Sequence, residues 1–152
     1  MVLLPYMPAS VATARWRLAA DLREAGVSGP AIGDASLVLS ELLSNAILHA
    51  RPLSGSTVRV AWSITDGWLE VWVSDGGSST HPHAQHPPPA AIGGRGLAIV
   101  DHLAQDWGVQ SDGHQTTVWA VLPVPGGGRN GSGWRNGVNP RHLLTHSVTT
   151  QL

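Results

Sequence analysis

The 152-residue chain has no cysteine, no phenylalanine and no lysine. Without cysteine it can form neither a disulfide framework nor a thiolate metal site, in keeping with a reducing cytoplasm. All nine basic residues are arginine, they are scattered, and against ten acidic residues they leave a formal net charge of −1. The electrostatic footprint that nucleic acid requires is therefore missing. No uninterrupted apolar run approaches the roughly 20 residues of a membrane span. Residues 1–10 carry no basic residue and are broken by Pro5 and Pro8, so they do not read as a signal peptide. These absences predict a soluble cytoplasmic protein that engages neither nucleic acid nor membrane. The length suits one domain with a real core and is too short for two.

What is present begins with residues 41–50, where Glu41, Asn45 and His49 recur at four-residue intervals among apolar neighbours. At about 100° per residue these three fall within an arc of roughly 80°, with Asp34 and Val38 near it. Leu39, Leu43, Ala46 and Ala50 take the opposite side. Burying an unpaired carboxylate or amide costs several kcal/mol, so such a stripe in an apolar helix points at a ligand, a metal or a water-filled cleft. An ordinary amphipathic helix with its polar side in water has the same spacing.

Around this stripe the pattern predicts a helix capped by Ser10 and ended by Gly26, then a second helix opened by Gly29 and Pro30 and stopped by Arg51 and Pro52. Over residues 57–65 the period changes to two, Asp66 and Gly67 supply a hairpin turn, and residues 68–74 return antiparallel with Leu69, Val71 and Val73 on one face. Between Asp75 and Gly94 lies a long loop rich in proline and histidine, of the kind that is either a functional lid or disordered. A third helix follows, with Leu97, Val100, Leu103, Ala104 and Trp107 on one side, and strands are expected near residues 107–111 and 115–122. The expected domain covers residues 1–123. Residues 124–152 read as a flexible tail rich in glycine and asparagine.

Two further features carry chemistry. Asp75 continues the parity of Leu69, Val71 and Val73, which puts a carboxylate at the end of an apolar strand face, followed by Gly76 and Gly77. Such an acid accepts hydrogen bonds from an exocyclic amine such as that of adenine, while the glycines admit a flat ring; Asp and Gly after a strand also make ordinary turns. Gly94, Arg95, Gly96 and Leu97 open the third helix, where free amides and the helix dipole favour a phosphate and Arg95 can add a charged fork. The spacing is that of neither a P-loop nor a dinucleotide fingerprint. His81, His83 and His86 in the loop have no helix to set metal-ligand spacing, and the tryptophans read as core, hairpin and interface residues.

In this order, a Glu/Asn helix turn, Asp-Gly-Gly after a hairpin strand, a lid, Gly-x-Gly at a helix start and Thr116-Thr117 in the last strand, the chain resembles the GHKL ATP-binding superfamily over roughly residues 8–123. It is most similar to the small bacterial anti-sigma-factor serine/threonine kinases and the short ATP-binding regulatory proteins related to them. The resemblance implies an α+β two-layer sandwich in which helices cover one face of a mixed, mainly antiparallel sheet and ATP lies between the layers. It further implies that Asn45 binds Mg²⁺ between the phosphates, Asp75 accepts from the adenine amine and Gly77 borders the ring. Gly94, Arg95, Gly96 and Leu97 would meet the phosphates, and Thr117 would reach adenine through water. Glu41 would be the general base that takes a proton from a partner's serine or threonine. The implied partners are a small antagonist protein and a sigma factor, and dimers occur among similar proteins. A non-catalytic ATP-binding interaction module is the alternative reading; Glu41 favours the kinase, since binding alone needs no base at that turn. Ala98 and Gln115 stand where many relatives carry glycine.

Overall fold

The chain begins on a strand that the sequence pattern did not announce. In the computed structural model, which describes residues 1–77 and 94–126, β1 (Val2–Pro5) pairs antiparallel with β2 (Thr57–Thr65) at the sheet edge. Its four residues include a proline and are too few to display a period. The hairpin β2–β3 (Trp68–Asp75) turns at Asp66 and Gly67, whose φ values of 51° and 79° are those of the tight turn expected there. The strands β4 (Asp106–Ser111) and β5 (Thr116–Pro123) complete the order β1-β2-β3-β5-β4. All four ladders among the described residues are antiparallel, so the parallel component of the expected mixed sheet is not found there.

Alternation then sorts the side chains. Val58, Val60, Leu69, Val71, Val73, Ala120 and Leu122 are buried on one face, under the helices α1 (Ala9–Glu24), α2 (Gly29–His49) and α3 (Gly94–Leu103). The two-layer α+β sandwich follows from that pattern. α2 lies between α1 and α3 and buries Ile32, Ala35, Val38, Leu39, Leu42, Leu43 and Ala46. Neighbours on both flanks explain why Val38 is fully buried although it lies near the polar arc. By length and composition α2 also meets the test for a membrane-spanning helix, which the expectation from uninterrupted runs missed; here its apolar side is core.

Several local details differ from the sequence reading. Ser10 is not a cap: it sits in the first turn of α1, buried, and its hydroxyl donates to Pro5 O at 2.6 Å. Trp107 belongs to β4 rather than α3, and its indole donates to Asp101 at 3.0 Å. On the sheet face away from the helices Trp72 and Trp119 are cross-strand partners, with Gly108 beneath the Trp119 ring. Beyond Pro123, Val124 is buried in the core and its N–H donates to Gly67 O at 2.7 Å. The histidine-bearing part of the loop and the tail from residue 127 onward lie outside the described residues.

Candidate nucleotide site

Glu41 and Asn45 project one turn apart from the second half of α2, both half-buried. The first turn of α3 crosses directly over them. A Cβ added to Gly96 would collide with Glu41 Oε2 and stand 3.7 Å from Asn45 Nδ2, so only a glycine lets the helix start approach this closely without displacing the carboxylate. The Asn45 Nδ2 atom is buried and has no hydrogen-bond partner among the described residues. An unpaired buried amide is costly in a native interior, and as an N–H donor its natural partner is an oxygen atom.

Asp75 closes the helix-side face of β3, as its parity predicted. Its residue surface is only 4% exposed, and burial raises its carboxyl from 3.8 to about 6 despite the Gly77 N–H that donates to Oδ1 at 2.7 Å. The two glycines after it do different work. Gly76 is packed onto Pro52 O, where a Cβ would overlap the backbone oxygen, and its N–H donates to Arg51 O at 2.7 Å. Gly77 has φ +77°, the left-handed turn that brings its amide back to Asp75, and it accepts from Arg51 N at 2.9 Å. The chain leaving α2 is thereby stitched to the end of β3.

The register assigns the two threonines to opposite faces. Asp75 is paired with Thr116, and a Cβ on Gly77 would stand 3.6 Å from Thr116 Oγ1, so Thr116 shares the face of Asp75. Thr117 is paired with Ser74 and its hydroxyl lies 2.8 Å from Ser74 Oγ, on the far side of the sheet. There Gln115 links it to Arg59, at 3.4 Å and 3.1 Å. Of the two, it is Thr116 and not the expected Thr117 that shares the face of Asp75. The signal was available, because Thr116 has the parity of Val118, Ala120 and Leu122.

Tyr6 belongs to none of the sequence motifs. It follows β1, and its hydroxyl donates toward Ala46 O at 2.7 Å and Ala50 O at 2.5 Å, at the C-terminal end of α2. Burial, and secondarily the nearby Asp75 carboxylate, raise its phenol above the ordinary value near 10.

Of the other expected residues, Leu97 turns its side chain into the core, leaving only backbone for a ligand. Gly94 and Arg95 lie in the first turn of α3, and the Arg95 side chain is outside the described residues. His49 and Asp34 are exposed and take no part in the cluster. Glu41, Asn45 and Gly96 are thus brought together, while Asp75, Gly77 and Thr116 gather where the chain leaves α2. The Asn45 carboxamide oxygen is a donor of the kind Mg²⁺ accepts while keeping several waters, whereas the unpartnered atom, Nδ2, is an N–H donor that suits a phosphate oxygen rather than the metal.

A profile of the histidine kinase-like ATPase domain matches residues 4–122. The serine-protein kinase RsbW of Listeria innocua serovar 6a is 30% identical over 115 residues, covering 68% of this chain and 73% of that protein. RsbW of Listeria monocytogenes serotype 4a matches to the same extent, 30% over 115 residues. Among solved structures, the blue-light activated histidine kinase of Erythrobacter litoralis EL346 aligns with a TM-score of 0.49 at 23% identity, over 71% of this chain and 40% of that one. This chain therefore spans less than half of that kinase. The profile match across most of the sequence and the RsbW relatives establish that the chain belongs to the histidine kinase-like ATPase domain family, with an ATP-binding domain of the GHKL type.

Proposed function

We propose that the protein binds Mg²⁺-ATP between α2, α3 and the paired ends of β3 and β5 and transfers the γ-phosphoryl group to a serine or threonine of a small antagonist protein. It would act in the cytoplasm as an anti-sigma-type regulator. The observation that carries this reading is the contact of Gly96 with Glu41 beside the unpartnered Asn45 amide: a helix N-terminus suited to phosphate is held against a carboxylate.

In this arrangement Asp75 accepts a hydrogen bond from the adenine amine, Gly77 lies at the ring, and Thr116 stands beside Asp75 to fix a bridging water. The amides of Gly94, Gly96 and Leu97 face the phosphates, with Arg95 as an added cation. Asn45 would hold Mg²⁺ through its side-chain oxygen, and the ion, when bound, would neutralise phosphate charge. Glu41 takes the proton of the attacking hydroxyl as its oxygen bonds to the γ-phosphorus and the bond from that phosphorus to the β–γ bridging oxygen breaks, releasing ADP. Removal of the proton needs only a short reach, because the carboxylate already borders the start of α3.

The RsbW relatives are named serine-protein kinases, which supports transfer rather than binding alone. The test is to incubate purified protein with Mg²⁺-ATP and the purified products of neighbouring genes. Phosphoserine or phosphothreonine on one of them, lost in Glu41→Gln, is the expected result. ATP binding without transfer to any of them would replace the kinase by the non-catalytic interaction module.

A further inference from the structure

Tyr6 lies outside every motif of the nucleotide site, yet a continuous set of hydrogen bonds runs from it to Asp75. Its hydroxyl meets Ala46 O and Ala50 O at 2.7 Å and 2.5 Å. The next residue, Arg51, is bonded on both sides: its N–H donates to Gly77 O at 2.9 Å, and its carbonyl accepts from Gly76 N at 2.7 Å. Gly77 N then donates to Asp75 Oδ1 at 2.7 Å. At its own end Tyr6 is fixed by its backbone N–H, which donates to Ser56 O at 2.9 Å.

The last carbonyls of a helix run out of partners within it, so an outside donor helps decide how the chain leaves; Ala46 O already accepts from Ala50 N at 3.1 Å, while Ala50 O lies just past the last residue of α2. Here the donor is a rigid aromatic side chain anchored beside β2. The same turn it holds contains Asn45, one residue before Ala46. We propose that Tyr6 is a positioning residue of the nucleotide site: its hydroxyl fixes the exit of α2, and through Arg51, Gly76 and Gly77 it fixes the Asp75 carboxylate at the adenine edge. The role rests on the ATP-binding reading above. It makes the segment after β1 part of the base-recognition apparatus, and it predicts that selectivity for adenine depends on a residue that need not touch the ring.

The test is Tyr6→Phe, which removes only the hydroxyl. Hydrogen exchange in the absence of nucleotide reports on the linkage directly. Faster exchange of the Gly76 and Gly77 amides, with the β2–β3 ladder amides unchanged, is expected; equal protection in both proteins overturns the proposal. Calorimetry with Mg²⁺-ATP, Mg²⁺-GTP and Mg²⁺-tripolyphosphate then reads the function. The variant should bind ATP about 5- to 20-fold more weakly, by loss of roughly one to two hydrogen bonds' worth of order. Its preference for ATP over GTP should narrow by a similar factor, with tripolyphosphate unchanged. Equal weakening toward all three ligands would indicate general loosening and overturn the positioning role. If the unaltered protein binds no ATP, it is the reading of the site that fails, and the exchange data still decide whether Tyr6 orders the Asp75 turn.

Discussion

Replacing Asp75 by asparagine should strengthen the empty fold and weaken its site at once. The carboxyl is buried at the end of β3 and its pKa rises from 3.8 to about 6. A folded-state value above that of the unfolded chain means that the folded protein holds the proton more tightly. The stability contributed by the protonated form is complete below pH 4 and is lost as pH climbs to about 6, after which the folded state carries a buried anion. A difference of roughly two units corresponds to about 3 kcal/mol. Asparagine keeps an oxygen to accept the Gly77 N–H, carries no charge, and leaves its own amide to be satisfied, so a gain of about 1–3 kcal/mol at pH 8 is expected. Urea unfolding of both proteins from pH 4 to pH 8 is the assay. The two curves should converge near pH 4 and separate until about pH 6–7. In calorimetry the variant should lose about 10- to 150-fold in ATP affinity, the equivalent of a hydrogen bond to a charged acceptor worth about 1.5–3 kcal/mol. Identical stability across the range, or unchanged ATP affinity, would refute the reasoning.

Other outcomes follow from the same geometry. Glu41→Gln should keep ATP affinity within about threefold and abolish transfer to the acceptor, since a general base acts on the proton rather than on binding; equal transfer rates in a phosphorylation assay would remove that role. Gly96→Ala should fold, because the atom it meets is the end of a flexible side chain, but it displaces Glu41 and crowds the phosphate site, lowering ATP affinity at least tenfold in calorimetry. Thr116→Val should weaken ATP binding by about 3- to 10-fold, while Thr117→Val should leave it unchanged, since only Thr116 shares the face of Asp75; the reverse order would mean that the β3–β5 register is wrong.

Much of this was legible in the chain because the deciding signals are local. Alternation in β2 and β3, the Asp66-Gly67 turn and the parity of Asp75 are properties of short windows, and the structure places each as read. The stripe on α2 was half legible. Spacing places Glu41 and Asn45 together, but only packing shows that α3 crosses at them while His49 stays in solvent. What escaped is non-local. β1 is defined by pairing with β2 across more than fifty residues, and Tyr6 acquires meaning only through carbonyls forty and forty-four residues away. The resemblance implies a role for Thr117, and only the ladder with β3 shows that Thr116 is the threonine on the face of Asp75.

The central claim is one pocket in which Asp75 and Thr116 meet the base while Asn45 and the start of α3 meet the phosphates. Titrating isotope-labelled protein with Mg²⁺-ATP and following its amide resonances tests this most directly. Saturable shifts should concentrate at Gly76, Gly77, Gly96, Leu97, Thr116 and the Asn45 side chain, with α1 residues such as the exposed Trp16 unmoved. No saturable shift, or shifts centred on α1 or on the Trp72–Trp119 face of the sheet, would contradict the account.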